Sequence, residues 1–512
     1  GIAGARGKAA GAPRHRRGPE QLVSRSPISS AVRAPSLPWY LAAPAAALGG
    51  YALNLATPEP AWWPAMFLGV LLMLAAMWQQ SMRLGALVGA IGGAGFWLPN
   101  ISWLTLYLGP VPWLALSAVM IAWYALSGLC VGLATRGLAR LAAPGEGMPP
   151  TRGRWTVLVA GQSLAVAGIW VLREQVQGFW PYGGFAWGRL AHTQAEGPLA
   201  ALVSWLGFSG FSGLLALVCA IPVAIAWGSN SLESFRLRSA GLRGGLGAVA
   251  VAAALAALSL VPAAQVEQVG TIRVAAVQGN SKSGIFDDRE NGDVFRAHLE
   301  ETERLLDGLE AAGERVDVIV WPENSAEFAL PDQVYRVQAM KRIAARAGAP
   351  VDDGTILENT DGSFTNSTLV FDPSGETGAR YDKRRPVPFA EYMPDRAFFR
   401  SLAPDLVDLV QLDYAHGQLP AVLPIEGASG AFNAAIAICF DIIFDDHAVA
   451  MMSGDGEAGI IFAQTNNADF GRTAESAQQL QIARLRAIES GRTLINISTV
   501  GTSAVVLPDG KD

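Results

Sequence analysis

The sequence predicts a multi-pass α-helical membrane domain followed by an external α/β domain. Residues 1–263 hold 17 Lys and Arg but only 6 Asp and Glu, whereas residues 264–512 hold 21 and 38. The first part is mostly uncharged apolar sequence, and the second has the charge density of a soluble protein. From residue 271 onward, short apolar runs alternate with charged helical segments, a pattern typical of layered α/β folds.

Seven apolar segments of the first part are long enough to be membrane helices, because a hydrocarbon core of about 30 Å needs roughly 20 apolar residues. A basic tail, residues 1–36, precedes them. The segments are 37–56, 61–79, 84–104, 112–134, 155–172, 199–227 and 243–263. We therefore expect a membrane domain over residues 37–263.

Positive charges predict the orientation of this domain. The N-terminal tail and alternate loops together carry 15 Lys and Arg, whereas the opposite loops carry only Arg173 and Arg189. By the positive-inside rule the N-terminus is cytoplasmic, so an odd number of crossings places residues 264–512 outside the cytoplasmic membrane. The first segment could instead be a signal peptide, and its removal would leave the external domain on the same side.

The external domain shows strand-like runs separated by amphipathic helices. Strands are predicted in "TIRVAAVQGN", "VDVIVWPEN", "FNAAIAICFDII" and "AGIIFAQTNN", in a two-strand unit at 364–383, and in two short runs after residue 492. Helices are predicted at 293–312, 333–348 and 473–491. The net charge of −17 in this domain (21 basic against 38 acidic residues) argues against a nucleic-acid partner.

Three chemical groups lie where predicted strands end: Glu323, Lys383 and Cys439. Taken singly, each has an ordinary structural explanation, as a turn residue, a solvated surface charge and an inert buried thiol. Cys130 and Cys219 fall inside predicted membrane helices, so Cys439 is the single cysteine of the external domain and has no disulfide partner there.

Together, the three groups are sufficient for acyl transfer through a thioester. A cysteine thiol needs a base or a positive field before it attacks a carbonyl carbon. A glutamate in a dry pocket can be that base. A lysine ammonium beside the attacked carbon stabilises the developing oxyanion.

The motifs "VWPEN", "YDKRRPVPFAEYMP", "ICFD" and "QTNNADFG", in this order, resemble the carbon–nitrogen hydrolase (nitrilase) superfamily. With seven membrane helices ahead of them, residues 37–512 resemble its membrane-bound branch, the apolipoprotein N-acyltransferases. The resemblance implies a nitrilase-like αββα sandwich over residues 264–512. It implies that Glu323 is the general base, Lys383 the oxyanion-stabilising lysine and Cys439 the nucleophile, with Glu391 as a further acid.

The reaction implied by the resemblance moves an acyl chain between two membrane lipids. Cys439 would take the chain from a phospholipid such as phosphatidylethanolamine and pass it to the N-terminal amine of a lipoprotein's diacylglyceryl-cysteine. Both partners are bilayer-bound, which gives the membrane domain a purpose. No metal, nucleotide or other cofactor is expected, because the donor ester is reactive enough towards a thiolate.

Several further residues are expected to support the site. Cys439 is followed by Phe440 and Asp441, where the family usually has Tyr and Glu, so the ring loses a hydroxyl and the carboxylate reaches roughly 1.5 Å less. We expect Asp441 to help shape the site that accepts the amine. Asn466 and Asn467 are expected near the nucleophile. Phe286 is expected on a lid loop, with ordinary packing as the alternative.

The chain ends at Asp512 in "VLPDGKD" and begins with Gly, whereas family members continue through more strands to a last membrane helix. The sequence is therefore expected to be a fragment of a longer protein.

Three other functions are alternatives. A membrane-tethered amidase would use the same residues but transfer the acyl group to water, although seven helices exceed what an anchor needs. A non-enzymatic scaffold for a polyprenol-phosphate glycosyltransferase would leave the three chemical groups without a purpose. A transporter would require ionisable residues within the membrane helices, and the predicted segments have them only near their ends.

Overall fold

The computed structural model describes residues 36–142, 152–228, 237–285, 287–454 and 456–512. Residues 1–35 of the predicted basic tail lie outside the described residues, and so does Phe286, the predicted lid residue.

Within the described chain, seven α-helices of 13 or more residues correspond in order to the seven predicted apolar segments. The first three are α1 (Trp39–Leu55), α2 (Ala65–Met77) and α3 (Met82–Asn100). After the four-residue helix α4 (Thr105–Leu108) come α5 (Pro110–Leu141), α6 (Arg152–Gln177), α7 (Val203–Gly228) and α8 (Leu237–Leu258).

Four described helical segments are long and apolar enough to cross a membrane: α5, α6, Ala200–Gly228 around α7, and Gly241–Leu258 within α8. A fifth span results if α3 and the segment Ser102–Leu108, bent by 55° relative to each other, are counted together. Helix α1 has 17 residues and α2 has 13. The structure thus has the helices of a membrane protein, and the seven crossings stay a prediction.

Glycines let the first helices approach each other closely. A Cβ atom on Gly50 of α1 would lie 2.0 Å from the carbonyl oxygen of Gly92 in α3. A Cβ on Gly128 of α5 would lie 2.2 Å from the carbonyl oxygen of Gly85 in α3. Within a membrane, no hydrophobic driving force favours contact between helices over contact with lipid. Apolar helices therefore associate through close backbone packing of this kind.

The α/β domain that the sequence predicts to be external, and which keeps the name external domain below, contains two five-stranded sheets. The first has the order β1–β2–β3–β4–β5, formed by β1 (Val274–Ala276), β2 (Val318–Val320), β3 (Val351–Glu358), β4 (Phe364–Phe371) and β5 (Thr377–Asp382). The second has the order β10–β9–β8–β7–β6, formed by β6 (Val422–Gly427), β7 (Gly430–Ile438), β8 (Ile460–Thr465), β9 (Thr493–Ser498) and β10 (Ala504–Val506). In the first sheet β1, β2 and β3 are parallel, and β4 and β5 extend it by antiparallel pairing. In the second sheet the central strands β7, β8 and β9 are parallel, and the strand at each edge is antiparallel to its neighbour.

Helices flank the two sheets. In chain order they are α9 (Asp293–Ala312), α10 (Val334–Ala347), α11 (Arg396–Leu402), α12 (Pro404–Val407), α13 (Asp445–Met452) and α14 (Ala474–Ser490). Alternate residues of β2 show the layering, since Val318 and Val320 join the core shared with the second sheet, whereas Ile319 and Trp321 join the core of α9 and α10. Helix α14 packs on β9 and β10. The predicted αββα sandwich is confirmed.

The fold differs from the sequence prediction at several elements. The predicted strand at 432–443 ends at Ile438, and Cys439–Ile443 form a single 3₁₀ turn instead. Strands β3 and β6 and the short helices α11, α12 and α13 were not predicted. The other predicted strands and helices are present, and α9 has the bounds predicted from its periodicity.

One glutamine at the junction of the membrane helices and the external domain makes four hydrogen bonds. Gln478 of α14 accepts hydrogen bonds at Oε1 from the indole nitrogens of Trp103 (3.1 Å) and Trp187 (2.9 Å). Its Nε2 donates to the carbonyl oxygens of Pro58 (3.0 Å) and Asn100 (3.1 Å). Helix α14 is therefore held against the membrane helices at the residue that precedes Gln479.

A second contact between the two parts is ionic. Arg189, in the loop between α6 and α7, donates from Nη1 to both carboxylate oxygens of Asp445 at 2.9 and 2.8 Å. Arg486 of α14 also donates to Asp445 (2.8 Å) and to the carbonyl oxygens of Ile442 (3.1 Å) and Ile443 (3.2 Å). These arginines connect the membrane domain to the turn that carries Cys439.

Candidate active site

A buried lysine lies between two glutamates at the ends of the strands. Lys383 directly follows β5, and its Nζ donates to Oε1 of Glu323 (3.0 Å) and Oε1 of Glu391 (2.9 Å). The Lys383 side chain is 1% exposed, and those of Glu323 and Glu391 are 5% and 16% exposed. An ammonium has three N–H groups, so the described contacts leave one of them available to a ligand.

The carboxylates are held by further donors. Asn366 of β4 donates from Nδ2 to Oε1 of Glu323 (2.7 Å) and Oε1 of Glu391 (3.0 Å). The backbone N–H of Val387 donates to Oε2 of Glu391 (2.6 Å). Glu391 therefore has both oxygens occupied and fixes Lys383, whereas Glu323 is the acid with capacity left for a proton.

Cys439 lies in a strained backbone conformation immediately after β7. Its φ angle is +48°, in the left-handed region that residues with a side chain rarely adopt. Such strain is typical of functional sites, where the surrounding structure holds a reactive group in a fixed direction. Part of the Cys439 surface stays accessible, and Gln479 of α14 donates from Nε2 to Sγ (3.7 Å).

The site's electrostatics keep the thiol neutral at rest. Burial raises the pKa of Cys439 well above its ordinary value, and the negative charge of Glu323 adds to this, against the opposing effect of Lys383. Burial likewise raises the pKa of Glu323. Burial alone would lower the pKa of Lys383, but the charges of Glu323 and Glu391 raise it instead, so the lysine stays an ammonium. Cys439 therefore requires a base, and Glu323 is suited to that role.

Asp441 belongs to the same turn as Cys439. Its carboxylate is fully buried and accepts hydrogen bonds from the hydroxyl of Tyr381 (2.7 Å) and from the N–H groups of Arg385 (2.8 Å) and Ile438 (3.2 Å). These three donors join the Cys439 turn to the segment that carries Lys383. The role of Asp441 in shaping the accepting site stays a prediction.

Phe440 is half-buried and stacks on an aromatic residue of the membrane domain. Its ring centroid lies 6.3 Å from that of Phe185, in the loop between α6 and α7, with an angle of 23° between the rings. Nearby, Trp103 meets Phe470 edge to face at 5.0 Å. The membrane domain thus contributes apolar rings beside Cys439, which suits an acyl chain.

The two asparagines after β8 point in different directions. Asn466 pairs with Ser283, its Nδ2 donating to the Ser283 carbonyl (3.2 Å) and its Oδ1 accepting from the Ser283 hydroxyl (3.1 Å). Asn467 is buried and donates from Nδ2 to Glu475 (2.7 Å) and to Oε1 of Gln479 (2.7 Å). Asn466 fixes the loop before the predicted lid. Asn467 contacts Gln479, which in turn contacts the Cys439 sulfur.

Four residues around the site were not identified from the sequence: Asn366, Tyr381, Glu475 and Gln479. Their positions on β4, β5 and α14 carried no motif, and polar residues on a helix usually face solvent. The polar run "ESAQQLQ" in a helix was the one signal that the sequence offered, and five of its polar residues are buried. Burial raises the pKa of Glu475 to about 8, and the charge of Glu323 contributes.

A cleft of about 200 Å³ opens between the membrane helices and the start of α14. None of the three predicted catalytic residues lines it, but Gln478 does, and the next residue contacts the Cys439 sulfur. Within the described residues, no group of three or more His, Cys, Asp or Glu side chains is arranged to hold a metal ion.

Known sequences and structures resemble both parts of the chain. The family described as "Apolipoprotein N-acyltransferase N-terminal domain" matches residues 49–221, and "Carbon-nitrogen hydrolase" matches residues 273–512. Among solved structures, an amidase of the nitrilase superfamily from Nesterenkonia AN1 aligns with a TM-score of 0.34 and 16% identity, over 47% of this chain and 85% of that one.

Two relatives with similar sequences are apolipoprotein N-acyltransferases. The apolipoprotein N-acyltransferase of Pseudomonas aeruginosa strain LESB58 is 29% identical over 69% of this chain, and the match spans 65% of that protein's length. The apolipoprotein N-acyltransferase of Mycolicibacterium smegmatis is 30% identical over 91% of this chain and 76% of its own length. On this similarity, together with the matches to both of its domains, the chain belongs to the apolipoprotein N-acyltransferase family.

Proposed function

We propose that this protein transfers an acyl chain from a membrane phospholipid, through a thioester on Cys439, to the N-terminal amine of a diacylglyceryl-cysteine. The observation that carries the proposal is the buried Lys383 held between Glu323 and Glu391 beside a cysteine in a left-handed turn. Such a constellation provides a base, a nucleophile and a fixed positive charge in a site with little water.

In the first half-reaction, Glu323 removes the thiol proton of Cys439 as Sγ bonds to the ester carbonyl carbon of the donor. The oxyanion that develops is stabilised by the ammonium of Lys383, whose third N–H is available. The C–O ester bond then breaks, and the departing lysophospholipid oxygen takes the proton from Glu323. The products are a Cys439 thioester and a lysophospholipid, and Glu323 is again ionised.

In the second half-reaction, a neutral primary amine attacks the thioester carbonyl and gives one proton to Glu323. The C–S bond breaks, an amide forms, and the proton on Glu323 returns to the Cys439 sulfur. Glu391 takes no proton in either half, because its two oxygens accept from Lys383, Asn366 and Val387. Its role is to hold the ammonium in place.

The contacts of the membrane domain support the proposal that the acyl donor and the acyl acceptor are both lipids. Phe185, in the loop between α6 and α7, brings aromatic surface to the Cys439 turn, and Trp103 contacts Phe470, which follows β8. We place the external domain on the outer face of the inner membrane, with the N-terminus cytoplasmic, on the strength of the charge distribution. A phosphatidylethanolamine-like donor and a lipoprotein acceptor would both reach the site along the bilayer surface.

The test is the acyl-enzyme. Purified protein and its Cys439→Ala variant are incubated with phosphatidylethanolamine that carries a clickable acyl chain. Hydroxylamine-sensitive label on the unaltered protein and none on the variant is the expected result, because hydroxylamine cleaves thioesters. Equal labelling of the two proteins would overturn the proposal. As a matched control, Cys219→Ala, within α7, should label normally.

A further inference from the structure

We infer that Gln479 is a catalytic hydrogen-bond donor to the Cys439 sulfur, and that Asn467 and Glu475 are positioning residues that fix its direction. This inference rests on the proposed function only in taking Cys439 as the nucleophile. Gln479 is buried on α14 and donates from Nε2 to Sγ at 3.7 Å. A sulfur that gains negative charge strengthens such a bond, because charge-assisted hydrogen bonds are roughly twice as strong as neutral ones.

A glutamine amide could equally present its oxygen to the sulfur, so its direction has to be set by a neighbour. Asn467 sets it, because its Nδ2 donates to Oε1 of Gln479 at 2.7 Å. The Oε1 of Gln479 is thus turned away from Cys439, and the two N–H groups of Nε2 lie on the side of the thiol. A donor, not an acceptor, faces Sγ.

Asn467 is itself an amide, and its direction is set in turn. Its Nδ2 also donates to Oε2 of Glu475 (2.7 Å), and its Oδ1 accepts from the hydroxyl of Thr465 (3.2 Å). Glu475 and Thr465 therefore oppose rotation of the Asn467 amide from its two ends. The sequence of contacts Glu475–Asn467–Gln479–Cys439 is continuous, and each of its four members is fully or partly buried.

The donor has a chemical purpose beside Lys383. The ionisable groups that act on the thiol are Glu323, Lys383, Glu475 and Glu391, and Glu475 carries its charge only above about pH 8. Three of the four are acids, which oppose formation of a thiolate. Gln479 adds a positive dipole on the α14 side of the sulfur without adding a charge, and by donating to Sγ it leaves the S–H free to point at the base. When the C–S bond breaks, the same donor stabilises the leaving thiolate.

The test measures the thiol directly and needs no lipid, so it stands apart from the acyl-transfer proposal. The full chain in detergent is treated with iodoacetamide from about pH 6 to about pH 10, and alkylation of the Cys439 peptide is followed by mass spectrometry. The variants are Gln479→Leu, Gln479→Glu and Asn467→Asp. The matched control is Gln481→Leu, since Gln481 is a buried glutamine of the same helix whose Nε2 has no hydrogen-bond partner in the described structure.

Gln479→Leu is expected to move the alkylation profile to higher pH and to slow alkylation at pH 8 about ten-fold, because a donor to a charged acceptor is lost. Gln479→Glu should be slower still, since an acceptor then faces the sulfur. Asn467→Asp should resemble Gln479→Glu, because its carboxylate would accept from Nε2 and turn Oε1 toward Cys439. Gln481→Leu should match the unaltered protein.

Two results would overturn the inference. One is a Gln479→Leu profile that coincides with that of Gln481→Leu. The other is a Gln479→Glu profile no slower than Gln479→Leu, which is what a packing role predicts, because Glu preserves the shape of Gln. If Gln479→Leu fails to fold, Gln479→Glu and Asn467→Asp are compared with the unaltered protein, because both are isosteric with the residues they replace. Alkylation of these two variants at the unaltered rate would then overturn the inference.

Discussion

At the scale of single residues, Asp441 shows how one buried carboxylate holds two segments of the site together. It is fully buried, and its oxygens accept from Tyr381, Arg385 and Ile438. The contacts join the turn after β7 to the segment after β5, which fixes Cys439 and Lys383 relative to each other. A charged hydrogen bond of this kind is worth about 1.5–3 kcal/mol, so the loss of one acceptor is costly.

We predict that Asp441→Asn destabilises the protein by about 2 kcal/mol, because an amide nitrogen would face a donor in the interior. Asp441→Glu should also destabilise it, by about 1–3 kcal/mol, since the extra methylene overfills the site. Thermal unfolding in detergent measures both. Asp446→Asn is the control, because Asp446 is exposed and pairs with the side chain of the same Arg385. Equal unfolding temperatures for Asp441→Asn and Asp446→Asn would contradict the assigned role.

The protonation of Glu475 predicts a pH dependence of stability. Burial raises its pKa from 4.5 to about 8, so the folded protein holds a proton that the unfolded chain releases between those values. Stability contributed by this group is complete below about pH 4.5 and is lost as the pH rises through about 8. Unfolding temperatures measured at pH 5.5 and pH 8.5 should therefore differ less in Glu475→Gln than in the unaltered protein. An equal or larger difference in the variant would be inconsistent with a buried, protonated Glu475.

At the scale of elements, the α3–α5 pair depends on glycines that no side chain can replace. Helix α5 offers a matched comparison, because a Cβ on Gly128 would lie 2.2 Å from the Gly85 carbonyl oxygen, whereas a Cβ on Gly137 would have nothing within 4 Å.

We predict that Gly128→Ala lowers the unfolding temperature, since the helices must separate, and that Gly137→Ala leaves it unchanged or raises it, because Ala has the higher helix propensity. Thermal unfolding of the two variants, side by side in one detergent, measures this. If Gly137→Ala proved the more damaging, the described packing of α3 and α5 would be incorrect.

Much of the external domain was predictable at this scale, because its helices and central strands follow simple periodicities. Helices α9, α10 and α14 and strands β2, β7 and β8 were all predicted from such patterns. Strand β3 was missed because "VDDG" sets two aspartates and a glycine where apolar residues are expected. Both aspartates are in fact buried, and burial raises the pKa of Asp352 to about 7, which lets a protonated carboxyl occupy a strand interior.

The candidate site was predictable only where reactive groups follow strand ends. Glu323, Lys383 and Cys439 could be named because each follows a predicted strand, their chemistry suits acyl transfer and their motifs resemble the nitrilase superfamily. The structure brings the two glutamates and the lysine into contact. Asn366 and Gln479 could not be named, because an amide in a strand or on a helix is equally suited to solvent. The contacts of Asp441 could not be predicted either, since the sequence does not show that Tyr381 and Arg385 lie within hydrogen-bond distance.

At the scale of the whole molecule, the membrane domain and the external domain are joined next to the turn that carries Cys439. Arg189 is 3% exposed and binds both oxygens of Asp445, which begins α13 directly after the turn. Arg486 binds Asp445 and the turn's own carbonyl groups. The contact makes the position of Cys439 dependent on the membrane helices.

We predict that Arg189→Met lowers both stability and the rate of acyl-enzyme formation. Removal of one partner of a buried ion pair costs several kcal/mol, and about 2 kcal/mol is expected here because Asp445 is 39% exposed. Arg273→Met is the control, since Arg273 and Glu314 form an exposed pair. Unfolding temperature and thioester labelling measure the two effects. Indistinguishable variants would show that the two domains are energetically independent.

The central claim is that a Cys439 thioester passes its acyl chain to an amine, and a single-turnover chase tests it most directly. Acyl-enzyme is formed from labelled phosphatidylethanolamine, freed of donor, and mixed with a diacylglyceryl-cysteine peptide whose α-amine is free. We expect the label to leave Cys439 and to appear on the peptide in an amide that resists hydroxylamine, whereas an N-acetylated peptide should take none. Release of free fatty acid at the same rate with either peptide would contradict the claim and indicate an amidase instead.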